Sequence, residues 1–165
     1  MPDPIPKQDV IGQRIDLFGP SVEFLTSPYD PQKDFCVLRG IIPPGGAAPL
    51  HSHRDVEDFY VISGEVLALR KGAHGYESIA CKAGEYIRVP SGVPHGWRNV
   101  SSEPFVTLVI TTPTLGKFFL EAGRPIEEAP QPPTSDDFAR FANVSAKYGY
   151  WNASPEENAA AGIRL

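Results

Sequence analysis

The chain has 165 residues, with 15 Lys+Arg against 20 Asp+Glu and a net charge of -5, enough for one domain with a real core and short for two. The acidic balance and the lack of any basic block exclude a phosphate-backbone partner, so nucleic acid drops out. No run approaches the roughly 18 consecutive apolar residues that a membrane-spanning helix needs.

The opening stretch, "MPDPIPKQDV", has neither the basic lead nor the apolar run of a secretory signal. Residues 1–13 read as an N-terminal arm. From Arg14 to Thr111 short runs rich in β-branched and aromatic residues follow one another: "RIDLF", "SVEFL", "DFCVLRGII", "DFYVIS", "EVLALR", "YESIACK", "EYIRV", "HGWRNV" and "FVTLVITT". Turn signals separate them, among them "GP", "PPGG", "SGE", "KGAHG", "AGE" and "PSGVP". About nine strands at this spacing predict an all-β sandwich or barrel over residues 14–111. "VISGEVLALR" reads as a tight hairpin around Ser63-Gly64. Cys36 and Cys81 each lie within a strand-like run and read as buried thiols of a reducing compartment. The expected address is the cytoplasm.

After Thr111 the texture changes, and residues 112–165 form a C-terminal extension. "TPTLGKFFLEAG" predicts a short helix with Thr112 as N-cap, Pro113 in the first turn and Gly123 just past the end. "RPIEEAPQPP" holds too many prolines for a helix and reads as an extended linker. "TSDDFARFANVSAKYG" restores helical spacing, with Phe138, Phe141, Ala142 and Ser145 on one face and Gly149 as the stop. "SPEENAAAG" carries a capping box of Ser154 and Glu157 around Pro155. This extension is too small for a core of its own, so its apolar faces pack on the barrel or on a second subunit, as a lid or as a dimer brace.

Two stretches carry chemistry. In "PLHSHRDVEDFYVISGE", His51 and His53 are two apart, so on a strand they point to the same side. Glu57 follows a short polar turn that can bring its carboxylate back toward them. Two imidazoles and a carboxylate suit Fe, Mn, Co, Ni, Cu or Zn, although a solvated surface cluster gives the same pattern. His95, in "PSGVPHGWRN", is the fourth candidate. The other histidine, His74, sits at a solvated hairpin tip, and Asn99 reads as structural.

The spacing Gly45-x5-His51-x-His53-x3-Glu57-x6-Gly64, followed by Gly84-x5-Pro90-x-Gly92-x2-His95-x3-Asn99, resembles the two motifs of the cupin superfamily position for position. The short segment between them is like that of small single-domain cupins. The extension resembles, more loosely, that of quercetin-dioxygenase-like cupins. The resemblance implies a jelly-roll barrel (a double-stranded β-helix) in which His51, His53, Glu57 and His95 bind one divalent transition metal ion. Gly64, Gly84 and Gly92 then serve as turn residues that build the site.

Three neutral histidines and one carboxylate leave two neighbouring positions open on a six-coordinate ion, for substrate and for dioxygen as a candidate co-substrate. The expected function is a metal-dependent dioxygenase acting on a small aromatic or enolisable substrate, with Glu57 also able to take a substrate proton. The alternatives are a non-catalytic small-molecule-binding cupin and a metal-dependent isomerase or lyase. Strand alternation puts Phe59 and Val61 on the face of Glu57, and Trp97 on the face of His95, as candidate substrate-pocket residues that also read as barrel core. A homodimer is the expected assembly.

Overall fold

Buried and exposed side chains alternate along the strands as the apolar spacing predicts. In Cys36–Ile42 the residues Cys36, Leu38 and Ile42 point inward while Arg39 is exposed. In Phe105–Thr111 the inward set is Phe105, Thr107, Val109 and Thr111. Such period-two strands bury one face each, and two sheets laid face to face satisfy all of them at once. The computed structural model of the chain describes residues 10–129 and 131–164, and the first nine residues of the expected arm lie outside them. Val10, within that arm, is 1% exposed and belongs to the core.

In chain order the elements are β1 (Arg14–Asp16), β2 (Ser21–Phe24), β3 (Cys36–Ile42), β4 (Ala47–Ser52), β5 (Glu57–Ser63), β6 (Glu65–Gly72), β7 (Gly75–Lys82), β8 (Tyr86–Val89), β9 (His95–Arg98), β10 (Phe105–Thr111), α1 (Pro113–Ala122), β11 (Arg124–Pro125), α2 (Ser135–Tyr148), β12 (Trp151–Asn152) and α3 (Pro155–Ala160). One sheet runs β11-β1-β2-β3-β10-β5-β8 and the other β12-β4-β9-β6-β7. All pairings are antiparallel. From β3 to β6 the chain switches sheet at every strand, which is the jelly-roll arrangement. Phe24, Leu38, Val61, Val66 and Phe105 fill the space between the sheets. Each such side chain contributes about 1.5–3 kcal/mol through burial.

The expected hairpin at Ser63-Gly64 is corrected here. β5 pairs with β10 and β8, whereas β6 pairs with β7 and β9. The chain therefore passes from one sheet to the other at Gly64. That residue has φ +77, and a Cβ on it would run into the Pro104 carbonyl oxygen, so only glycine fits the crossing. The hairpin instead joins β6 to β7, with exposed His74 at its tip. Cys36 and Cys81 are buried and free, as expected.

The helices follow their caps. Thr112 accepts from the Leu115 amide and Pro113 opens α1. Thr134 with Asp137 and Ser154 with Glu157 close full capping boxes on α2 and α3, each cap being worth about 1 kcal/mol. The inward face of α2 keeps Phe141 and Ser145 of the expected set and takes Val144 and Tyr148 in place of Phe138 and Ala142. Phe141, Val144 and Tyr148 pack on α1 with buried Ser145 beside them, while Phe138 is 55% exposed and Ala142 is also exposed. The proline-rich linker contributes a two-residue strand, β11, that pairs with β1. Among the described residues no helix is long and apolar enough to cross a membrane.

Candidate metal centre

β4 and β9 lie side by side, and their register sets His51 opposite His95. The ladder is irregular between Ala48 and His51, a local kink of the kind found beside functional sites. His53 follows at the end of β4. The "PSGVP" turn is tied to it by a 2.8 Å hydrogen bond from the Gly92 amide to the His53 carbonyl. Glu57 opens β5 in the facing sheet. The four side chains therefore converge between the sheets from three strands and a turn, with their ligand atoms all within 4.8 Å of one another.

The three imidazoles are held in the same way. Nδ1 of His51 lies 2.7 Å from the Pro49 carbonyl, that of His53 2.8 Å from the Asp55 carbonyl, and that of His95 2.8 Å from the Val93 carbonyl. A carbonyl oxygen only accepts, so each Nδ1 carries the hydrogen and donates. In the neutral ring this leaves the Nε2 lone pair free as a metal ligand. Nε2 of His95 and of His53 lie 3.1 and 3.3 Å from Oε2 of Glu57. With ligand distances of about 2.0–2.2 Å, donors around one ion span at most about 4.4 Å. A closure of a few tenths of an ångström would bring all four onto a common centre.

His53, Glu57 and His95 are each about 95% buried, and His51 is half-buried. Desolvation, reinforced by the neighbouring His95 and His53, pushes His51 down to about 3, so its ring is neutral at ordinary pH. Burial opposes the charge on Glu57, but with no metal bound Nε2 of His53 and His95 can carry hydrogens and donate to it. These contacts outweigh burial and hold the carboxyl well below its usual range. Loss of those hydrogens frees the Nε2 lone pairs for a metal. An ionised carboxylate beside imidazole lone pairs is a complete donor set for a divalent transition ion.

Phe59, Val61 and Trp97 are all buried, and the Phe59 and Trp97 rings lie 4.8 Å apart. A cleft of about 500 Å³ opens between β7 and β8, with Ile79, Ile87, Val89 and Val93 on its walls and with His95 and Trp97 bordering it. Phe59 and Val61 do not border this cleft. Tyr60, on the opposite face of β5, is 48% exposed. Asn99 is structural as expected, its amide bridging the Ile42 and Glu103 carbonyls.

Sequence reasoning missed the C-terminal side of the site. β12 pairs with β4, so that Trp151 faces Ser52 and Asn152 faces His51. The ring of Tyr150 lies 5.4 Å from that of His53, and its hydroxyl donates to Asp55. Asp55 reads as part of a polar turn, and only its place between His53 and Glu57 hints at more.

Residues 38–111 match the model of the cupin domain. That match covers most of the barrel. No curated protein matches the chain in sequence. Among solved structures, the Bacillus subtilis oxalate decarboxylase with Mn(II) centres is 25% identical with a TM-score of 0.53, over 61% of this chain and 27% of that one. An oxalate oxidase is 25% identical with a TM-score of 0.50, over 66% of this chain and 58% of that one. The chain thus spans under two thirds of the length of either. Within the matched region, His51, His53, Glu57 and His95 form a site able to hold one divalent transition metal ion.

Proposed function

We propose that this cupin is a metal-dependent enzyme acting on a small molecule, and specifically a dioxygenase for a small aromatic or enolisable substrate. The observation that carries the reading is the placement of the three-histidine, one-glutamate cluster, buried at all but His51, at the side of an apolar cleft that touches it through His95. A divalent ion held there supplies a Lewis-acidic centre with coordination positions left beside the four protein ligands.

The remaining work falls to the chain. Ile79, Ile87, Val89 and Trp97 give the cleft apolar walls that favour a flat apolar substrate over a hydrated one. Arg70 and Arg88 also border the cleft, but each is already paired, with Glu77 and Asp58 respectively. This favours a substrate whose single acidic hydrogen is lost at the site over a small dicarboxylate such as the oxalate of the similar proteins. Glu57, buried 3.1 Å from His95, is the carboxylate that would take that proton, at an oxygen released from the imidazoles that hold it.

The test is oxygen consumption by protein loaded in turn with Fe(II), Mn(II), Co(II) and Ni(II), against a panel of flavonols and other enolisable aromatics. Uptake that requires both metal and substrate supports the dioxygenase. Anaerobic loss of substrate without uptake points to an isomerase or lyase, and binding without turnover to a non-catalytic module.

A further inference from the structure

Asp55 lies between two of the candidate metal ligands without being one of them. It is 5% exposed, and a carboxylate so buried is costly unless its oxygens are satisfied. Both are. The Thr112 hydroxyl donates to Oδ1 and the Tyr150 hydroxyl to Oδ2. These donors come from distant parts of the chain: Thr112 is the N-cap of α1, and Tyr150 directly precedes β12. The backbone carbonyl of the same Asp55 accepts from Nδ1 of His53 at 2.8 Å.

The Tyr150 ring is itself fixed. It lies 4.8 Å from Phe118 of α1 and 5.4 Å from His53, centroid to centroid. One step further on, Trp151 and Asn152 pair with Ser52 and His51. The neighbouring Val56 carbonyl accepts from Thr111 at 2.7 Å, so the turn 53–56 is gripped from several sides. A side chain held at both oxygens cannot rotate, and a turn held by its side chain cannot re-aim its carbonyl.

We propose that Asp55 is a positioning residue for the metal centre, fixing the His53 ring through its carbonyl and tying that ring to α1 and to the C-terminal segment through Thr112 and Tyr150. The inference rests on the metal-site reading given above. It assigns the C-terminal extension a part in metal affinity that the barrel motifs alone do not contain.

The experiment measures Co(II) binding to the full chain by titration calorimetry, together with the visible absorption spectrum of the bound ion. The proteins compared are wild type, Tyr150→Phe, Asp55→Asn and Tyr148→Phe. Tyr148 is the control because its hydroxyl donates to Glu121 and not to Asp55. Loss of a group that orients a ligand typically weakens metal affinity about 10–100-fold. The expected result is a Kd raised about tenfold or more in Tyr150→Phe and Asp55→Asn, with an altered Co(II) spectrum, and wild-type values in Tyr148→Phe. Should Asp55→Asn fail to fold, as judged by circular dichroism, Tyr150→Phe decides. Wild-type affinity and spectrum in both variants would overturn the role of Asp55 while leaving the metal site standing. Equal weakening in Tyr148→Phe would also overturn it, by showing a general effect of helix packing. A wild-type protein that binds no Co(II) would remove the metal site and this inference together.

Discussion

The Phe59 and Trp97 rings meet at a tilt of 57° with centroids 4.8 Å apart, each two residues along its strand from a candidate metal ligand, Glu57 or His95. The pair joins the two sheets just inside the site, since Phe59 lies on β5 and Trp97 on β9. Both rings are nearly fully buried, so truncation opens a cavity that the barrel cannot easily collapse. Trp97→Ala and Phe59→Ala are each expected to lose about 3–5 kcal/mol, and Phe59→Leu distinctly less. Urea unfolding at constant m-value checks this. If Trp97 also forms the wall of a substrate cleft, Trp97→Phe raises KM more than Phe59→Leu does.

Metal content follows from the four-ligand geometry. His53→Ala protein purified beside wild type is expected to contain little or no transition metal by elemental analysis. Wild-type protein stripped with a chelator and supplied with Mn(II) or Co(II) at about 100 times its Kd gains about 2.7 kcal/mol. For a chain of this size that raises Tm by about 5–10 °C. The same addition to His53→Ala leaves Tm nearly unchanged, and full metal retention in that variant would sink the assignment of His53.

Two glycines with similar backbones should respond differently to alanine. Gly84 has φ +86 and open space where a Cβ would go, whereas Gly64 has φ +77 and the Pro104 carbonyl in the way. Gly84→Ala bears only the left-handed penalty, about 1–2 kcal/mol. Gly64→Ala adds a collision with backbone and is expected to cost clearly more, read as a lower denaturation midpoint or loss of soluble protein. Equal losses at the two sites would argue against the close crossing between sheets.

The legible and illegible parts of the chain divide along this same line. Strands such as Cys36–Ile42 and Phe105–Thr111 announce themselves by local alternation, and the helix caps Thr112, Thr134 and Ser154 by residue type. His51, His53, Glu57 and His95 could be assembled because two spaced motifs name them. Ser63-Gly64 reads as a hairpin because a turn dipeptide looks the same whether the next strand pairs beside the last or crosses to the other sheet. The contact that decides is with Pro104, some forty residues later. The pairing of Trp151–Asn152 with β4 was hidden for a related reason: two residues are too few to show a period. Phe138 looked inward on helical spacing, but the adjacent face is the one that meets α1.

Glu121 offers a pH test remote from the metal site. Lys147 Nζ donates to its Oε2 and Tyr148 to its Oε1, both at 2.7 Å. The Lys147 contact leads in holding the Glu121 carboxyl below its ordinary value; burial opposes it, and the Tyr148 hydrogen bond adds a lesser lowering. A lowered folded pKa means that the stabilisation is complete above the usual glutamate range and is lost as pH falls through the folded value. The pair is largely exposed, so its worth is under about 1 kcal/mol. The stability difference between wild type and Glu121→Gln is therefore expected to be largest near neutrality and to vanish at low pH. A gap that widens on acidification would contradict the assigned direction.

Leu50, one residue ahead of His51, donates its amide to Oδ1 of Asn158 at 2.8 Å and accepts from the Ala153 amide. His95, the last candidate ligand, precedes Asn158 by 63 residues. At a synthesis rate of about 5–20 residues per second, all four ligands exist for several seconds before the partners of Leu50 have been made. During that interval the outer edge of β4 is unpaired, and closing it later requires contacts across more than a hundred residues, which are slow to form. Completion of the histidine-bearing strand is thus among the last events in the biogenesis of the molecule, so a chain cut short within its final turns would reach the cell with every ligand present and the strand that carries His51 and leads into His53 unfinished.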